Sequence, residues 1–316
     1  MNIIVKGVAP YQRKDGINFK NQAYDAWVEI GGQTAKSHYP PRILHHFAYN
    51  YELPSFTKIN NEARLRFVEP VSLSFDTFPD YARYEIIPFI WDCWPCYFDK
   101  VCDWFKKHDV RTAIFTSSQT AERMQKQFPK MNIMYCPEGI DTSRYSAGKP
   151  LTGRSIDLLE FGRSSNLGLN EKDNHNSRTG FRYVSTKKDG KYLYSNEQLI
   201  EVMGDAKVTI ALPRSITEPE KSGDIETLTQ RYWENMLSRI VMLGHAPQEL
   251  VDLIGYNPVI EIDWEYPKEQ ILEIVAHIET YQELVDKNRK MALQKGDWVT
   301  RMDLLKNFLV MNEYKI

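Results

Sequence analysis

The fold is decided by residues 84–139, which read YEIIPFIWDCWPCYFDKVCDWFKKHDVRTAIFTSSQTAERMQKQFPKMNIMYCPEG. Three short apolar runs in this stretch have the length and composition of buried strands: 86–91, 112–116 and 131–135. Two segments between them carry apolar residues at helical spacing: 97–107 and 119–128. Strands that alternate with helices in this way predict a parallel sheet covered on both faces, and right-handed crossovers make it doubly wound.

A second series of the same kind follows residues 148–153, which have the composition of a linker. Its predicted strands are 155–161, 208–212, 240–243 and 259–262, and its predicted helices include 196–203, 267–289 and 297–312. Residues 164–191 are polar and predict a long loop with room for a hairpin.

We therefore predict an α/β fold of two Rossmann-like, doubly wound domains, 1–148 and 149–295. They would face a cleft between the carboxyl ends of their strands, where such sheets bind ligands. A C-terminal helix within 296–316 either crosses back to the first domain or stays with the second.

The bulk composition excludes several classes of protein. The 316 residues carry a formal net charge of -2, which gives no electrostatic reason to favour nucleic acid. No apolar run approaches the ~18 residues of a membrane span, and the N-terminus lacks the layout of a signal peptide. We expect a cytoplasmic protein without a transmembrane segment, and peripheral contact with a membrane stays open.

The cysteines are expected to be reduced thiols rather than a disulfide framework. Cys93 and Cys96 have the C-x-x-C spacing of a redox pair, and a zinc site would need a second pair that the sequence lacks. Ordinary half-buried thiols remain the preferred interpretation.

The segment 223–234, GDIETLTQRYWE, carries the candidate chemistry. Thr227 and Gln230 match a capping box, which predicts a helix starting near Leu228. The N–H groups at that helix end, from Thr227 to Thr229, would then bind a diphosphate. Glu226 lies just ahead of this end, placed to accept hydrogen bonds from sugar hydroxyls, and Glu234 lies ~10 Å further along the axis, placed to bind the hydroxyls of a ribose.

In this order the segment resembles the E-x7-E motif of retaining GT-B glycosyltransferases, especially family 4. Other short stretches resemble the family's pattern in the family's order: Thr116-Ser117-Ser118, Cys136-Pro137-Glu138-Gly139-Ile140-Asp141 and Phe161-Gly162-Arg163. Together the resemblance covers roughly residues 84–262. Between the two glutamates it departs from the family's Gly-Phe-Gly-like run, because this chain has Thr-Leu-Thr-Gln-Arg-Tyr-Trp.

The resemblance implies metal-independent transfer of a sugar from a nucleotide-diphosphate donor to a glycan or other acceptor, with retention and without a cofactor. Surface polysaccharide or glycoconjugate synthesis is the expected setting. Glu226 and Asp92 are the implied catalytic residues. Asp92 stands at the family's usual histidine position, for which His45 and His46 are the other candidates.

Donor and acceptor contacts follow from the same resemblance. Besides the 227–229 segment and Glu234, the candidates for donor binding are Gly162, Arg163, Lys172, Arg214 and Arg231. Arg178 is an alternative to Lys172. The candidates on the acceptor side are His45, His46 and Trp94.

Two other functions stay open at this point. A sugar-nucleotide epimerase on the same fold would need further acid and base groups on the first domain. A non-catalytic binder of sugar nucleotides would bind a donor without turnover, and the altered run between the glutamates is its main support.

Overall fold

The computed structural model describes residues 3–10, 19–36, 43–44, 46–47, 58–59, 61–162, 180–188 and 191–316. The chain divides into two compact units. Unit 1 comprises Met1–Gly139, Glu220–Thr227 and Trp298–Ile316, and unit 2 comprises Ile140–Pro219 and Leu228–Asp297. The boundary between the units lies between Gly139 and Ile140, whereas the sequence predicts it after residue 148. Among the described residues, no helix combines the length and the apolar character needed to cross a membrane.

The strands are β1 Ile3–Val8, β2 Thr34–Ala35, β3 Glu62–Val68, β4 Glu85–Ile90, β5 Thr112–Phe115, β6 Asn132–Tyr135, β7 Ile156–Glu160, β8 Tyr183–Ser185, β9 Lys187–Lys188, β10 Lys191–Tyr192, β11 Ala206–Ala211, β12 Val241–Gly244, β13 Ile260–Glu261 and β14 Tyr314–Lys315. The α-helices defined within the described residues are α1 Phe19–Glu29, α2 Leu73–Thr77, α3 Pro95–His108, α4 Ser118–Gln127, α5 Asn196–Met203, α6 Arg214–Thr217, α7 Pro219–Ser222, α8 Gln230–Leu237, α9 Gln248–Ile254, α10 Pro267–Ala276, α11 Gln282–Lys295 and α12 Trp298–Met311.

Unit 1 is built on a parallel sheet in the order β14-β1-β3-β4-β5-β6, with β2 also paired to β1. The pleat of β4 sends alternate side chains to opposite faces. Ile86 and Ile90 join one apolar cluster with α3, whereas Ile87 and Phe89 join a second cluster on the other face. The strands predicted at 86–91, 112–116 and 131–135 are confirmed, as is the covering of both faces.

The C-terminal helix α12 packs within unit 1. Trp298, Met302, Leu305 and Leu309 form a stripe at helical spacing that belongs to the same cluster as Ile87 and Phe89. The chain then adds β14 beside β1, a strand that the sequence pattern did not predict.

Unit 2 has a parallel sheet in the order β13-β12-β11-β7-β8. Apolar residues of β11 alternate between clusters on its two faces, with Val208 and Ile210 on one and Ala211 on the other. A short antiparallel hairpin, β9 with β10, lies in the region predicted as a long loop.

The helix predicted over 267–289 is wrong as a single element. It consists of α10 and α11, separated by a 3-10 turn at Ile278–Tyr281. Ile278 is buried in the core of unit 2 at this turn, so the apolar periodicity runs on across the break. No proline or glycine marks the break in the sequence.

Candidate functional site

Helix α8 carries the second glutamate of the sequence motif, and it begins at Gln230 rather than Leu228. The predicted capping box at Thr227 and Gln230 is therefore wrong: Thr229 is the N-cap, and its side chain makes no capping hydrogen bond. The backbone N–H of Leu228 donates instead to the Glu249 carboxylate at 3.0 Å. A buried acceptor 21 residues further along the chain thus satisfies this N–H without a helix turn.

Glu234 lies one turn into α8 and is buried, with 7% of its surface exposed. The hydroxyl of Tyr145, also buried, donates to Glu234 Oε1 at 3.1 Å. Burial raises the pKa of Glu234, and the hydrogen bond from Tyr145 and the charges of Arg231 and Arg144 oppose that rise. Unit 2 thus contains a carboxylate that is held in place by a phenol and lies in the field of two cations.

Arg231 occupies the same face of α8, three residues before Glu234. Its guanidinium carbon lies 5.5 Å from the centre of the Phe161 ring, at the end of β7. It also fills the space above Gly162, where a Cβ would lie 1.7 Å from Arg231 Nη2. Gly162 has a left-handed φ of 77°, which glycine adopts without strain. The structure therefore brings together Gly162, Arg231 and the helix of Glu234.

Two of the bulky residues between the two glutamates belong to the core of unit 2. Tyr232 and Trp233 are buried in the core of unit 2, and the Tyr232 hydroxyl donates to the His245 carbonyl at 2.8 Å. Thr229, Gln230 and Arg231 are the half-buried members of the run. The departure from the family's small residues is thus absorbed largely by the core.

Several predicted residues fall elsewhere. Arg163, Lys172, Arg178 and His45 lie outside the described residues. His46 is exposed in a short helical segment. Arg214 begins α6 and forms an ion pair with Glu218 at 2.7 Å.

Asp92 follows β4 and has a left-handed φ of 52°. Aspartate tolerates this conformation better than most residues, and strained backbone clusters at functional sites. Its carbonyl accepts the N–H of Trp94 at 2.8 Å, and Trp94 rather than Asp92 is the N-cap of α3. Trp94 itself is buried, which leaves little of its ring for stacking on an acceptor.

The C-x-x-C pair beside Asp92 lacks the environment of a redox site. All four cysteines are thiols. Burial raises the pKa of Cys93 far above its usual range, and nearby Cys102, Cys96 and Asp92 raise it further. A reactive redox thiol needs the opposite shift.

Glu226 is half-buried in the segment 220–227, which belongs to unit 1. Gln119 of α4 holds this segment with both ends of its amide: Oε1 accepts the Glu226 N–H at 2.7 Å and Nε2 donates to the Asp224 carbonyl at 2.9 Å. One turn further along α4, Arg123 donates to both carboxylate oxygens of Asp224 at 2.8 and 2.9 Å. Between the two bonded residues, Ile225 is buried.

The sequence predicted one element that carries both glutamates. The structure instead assigns Glu226 to unit 1 and Glu234 to unit 2. The sequence also gave no sign of Gln119 or Tyr145, which lie 107 and 89 residues from their partners. Only their capacity to donate or accept hydrogen bonds is visible without the fold.

The fold is similar to that of known proteins, although the sequence comparisons found no match. No protein-family model matches the chain, and no curated protein sequence does. The structure is similar to AviGT4, a glycosyltransferase involved in avilamycin A biosynthesis, with a TM-score of 0.55 and 13% identity over 98% of both chains. It is also similar to Anabaena HepE in complex with UDP-glucose, with a TM-score of 0.56 and 9% identity over 98% of this chain and 100% of that one.

A third similar structure is TarM, with a TM-score of 0.52 and 10% identity over 78% of this chain. The match covers 54% of TarM, so this chain spans about half its length. At these identities the similarity concerns the fold alone. The chain has the GT-B fold of two Rossmann-like domains found in these glycosyltransferases.

Proposed function

We propose that this chain is a glycosyltransferase that transfers a sugar from a nucleoside-diphosphate donor to a glycan or other acceptor. The observation that carries the proposal is the pairing of Glu234 and Arg231 on one face of α8, with Arg231 against Gly162 at the end of β7. A buried carboxylate suits the two hydroxyls of a ribose, and a neighbouring guanidinium suits a diphosphate. The carboxyl ends of parallel strands are where such sheets bind nucleotides.

Arg231 and the start of α8 are the proposed diphosphate contacts in the described part of the chain. The positive end of the helix dipole would add to the charge of Arg231. The Leu228 N–H is already bonded to Glu249, so Arg231 is the stronger candidate of the two. Arg163, Lys172 and Arg214 remain proposed donor contacts.

Glu226 and Asp92 are the proposed groups at the sugar. Glu226 would accept hydrogen bonds from sugar hydroxyls, and Asp92 follows a strand of unit 1 in a strained conformation. We further propose a retaining, family 4-like reaction, in which the acceptor attacks from the face of the leaving group. Arg231 and the helix dipole would stabilise the departing diphosphate without a metal. EDTA should therefore leave turnover unchanged.

A thermal-shift panel of UDP-, GDP-, ADP- and CMP-sugars tests the proposal. UDP-glucose is the first choice, because HepE binds it on the same fold. A ligand at one hundred times its Kd should stabilise the protein by ~2.7 kcal/mol. The control is Glu234→Gln, which keeps the shape of the side chain and should lose most of the stabilisation. Failure of every nucleotide sugar to stabilise the wild type would refute the transferase.

An assay of donor hydrolysis distinguishes the transferase from a protein that binds sugar nucleotides without catalysis. The burial of Tyr232 and Trp233 weakens the main support for such a binder, since these two bulky residues lie in the core. We expect Glu226→Ala to bind the donor but to release UDP from UDP-glucose more slowly than the wild type. A wild type that binds UDP-glucose and neither transfers nor hydrolyses it would favour the binder. Epimerised product in the same assay would favour the epimerase.

A further inference from the structure

Tyr145 is the described residue that holds the proposed ribose-binding carboxylate. It follows a 3-10 turn at Thr142–Arg144. Among the described residues, its hydroxyl makes the one side-chain hydrogen bond seen for Glu234, at 3.1 Å and to Oε1. The other carboxylate oxygen, Oε2, is left to accept hydrogen bonds from a ligand.

The position of Tyr145 is fixed by more than this bond. Its ring is buried in the same apolar cluster as Tyr232, Trp233 and Met236 of α8. Arg289 of α11 donates from Nη2 to the Tyr145 carbonyl at 3.2 Å and from Nη1 to the Leu237 carbonyl. One guanidinium thus ties the backbone of Tyr145 to the C-terminal end of the helix that carries Glu234.

We propose that Tyr145 is a positioning residue that orients Glu234 toward the ribose hydroxyls of the nucleotide. The proposal rests on the proposed function, because it assumes that Glu234 binds the ribose. The phenol donates to one oxygen and fixes the plane of the carboxylate, so the second oxygen faces the ligand in a single orientation. The same bond favours the ionised form of Glu234, which accepts hydrogen bonds at both oxygens.

Tyr145→Phe tests the proposal, because it removes the hydroxyl and keeps the buried ring. The measurement is the Kd of UDP and of 2′-deoxy-UDP for each variant, with GDP and ADP and their 2′-deoxy forms in parallel. In the wild type we expect the 2′-deoxy form to bind about tenfold more weakly, the scale of one hydrogen bond to a charged group. In Tyr145→Phe we expect UDP to bind about tenfold more weakly and the ratio of the Kd of 2′-deoxy-UDP to the Kd of UDP to fall toward one.

The ratio separates positioning from general damage. If Tyr145 had a purely structural role, the substitution would weaken the binding of both ligands by the same factor. The ratio of their Kd values would then stay as in the wild type, and this result would overturn the proposal. Tyr256→Phe is the matched control, since it removes a half-buried phenol that bonds Asn288 at 2.8 Å in the same unit. It should leave both Kd values and the ratio unchanged.

A background variant supplies an independent readout. In Glu234→Ala, adding Tyr145→Phe should change the UDP Kd by much less than it does in the wild type, because the group being oriented is gone. Equal effects in both backgrounds would refute the positioning role. Absence of binding by UDP, GDP and ADP to the wild type would instead refute the proposed function, so the two failures are distinguishable.

Discussion

Replacing Gln119 with alanine removes the amide that holds the Glu226 segment on α4. The variant loses two hydrogen bonds, to the Glu226 N–H at 2.7 Å and to the Asp224 carbonyl at 2.9 Å. Arg123 still pairs with the Asp224 carboxylate. We therefore expect the segment to stay near α4 while the backbone of Glu226 loses its fixed position.

The size of the effect follows from the two bonds. Each neutral hydrogen bond contributes roughly 0.5–1.5 kcal/mol, so both together contribute about 1–3 kcal/mol. If the reaction needs Glu226 in its bonded position, this free energy corresponds to a fall in kcat of roughly 5- to 150-fold. The bonds are partly exposed, which favours the lower part of that range.

The assay is donor hydrolysis or transfer with UDP-glucose, with kcat and donor KM determined separately. We expect Gln119→Ala to lower kcat and to change KM little, because Glu234 and Arg231 are untouched. The matched control is Gln125→Ala on the same helix, whose amide bonds the carbonyls of Phe128 and Met131 instead. Equal kcat values for the two variants would refute the role of Gln119 in positioning Glu226.

Three further predictions concern stability and the donor site. Gly162→Ala should lower the free energy of unfolding by about 1–2 kcal/mol because of its left-handed φ, and it should weaken UDP binding because the new Cβ displaces the guanidinium of Arg231. Calorimetry measures the first effect and UDP titration the second. An unchanged affinity for UDP would contradict the proposed contact between Arg231 and the diphosphate. Glu234→Gln should be more stable than the wild type at neutral pH, because burial raises the pKa of Glu234 in the folded state and the wild type therefore loses stability as the pH rises above 4.5, the ordinary pKa of the group. The difference between the denaturation midpoints of the two proteins should shrink as the pH falls to 4.5. A difference that does not depend on pH would exclude this cause. Tyr314→Phe should destabilise unit 1 by about 1.5–3 kcal/mol, because it removes a 2.5 Å hydrogen bond to the buried Glu85 carboxylate; an unfolding midpoint equal to that of the wild type would refute this contribution.

The strands that sequence reasoning located are those whose burial shows as an unbroken apolar run. Strand β4 is buried throughout its length, and its Ile-Ile-Pro-Phe-Ile run is visible without the fold. Strand β3 was missed, although it is almost as buried, because arginines at 64 and 66 interrupt the pattern. The structure shows why they are tolerated: Arg64 stacks over the Tyr84 ring at 3.9 Å and Arg66 pairs with Asp80 at 3.2 Å.

The candidate site was only partly accessible to sequence reasoning for a related physical reason. Gly162 and Arg231 could be named because short local stretches of the sequence resemble the family's pattern. The hydrogen-bond partners of the two glutamates could not, since Gln119 and Tyr145 are brought to them by tertiary contacts. The predicted start of α8 at Leu228 is wrong because the Leu228 N–H donates to a distant carboxylate, Glu249, and not to a local helix cap.

The parallel pairing of β14 with β1 has a consequence for the order of events during synthesis. A ribosome makes residues 140–297, which include all of unit 2, before it makes α12 and β14. Unit 1 therefore has to wait, with the face that receives Trp298 and Leu305 uncovered, until a later part of the chain emerges. Unit 2 can complete its own sheet first, so unit 1 finishes folding last although most of its residues precede unit 2 in the chain.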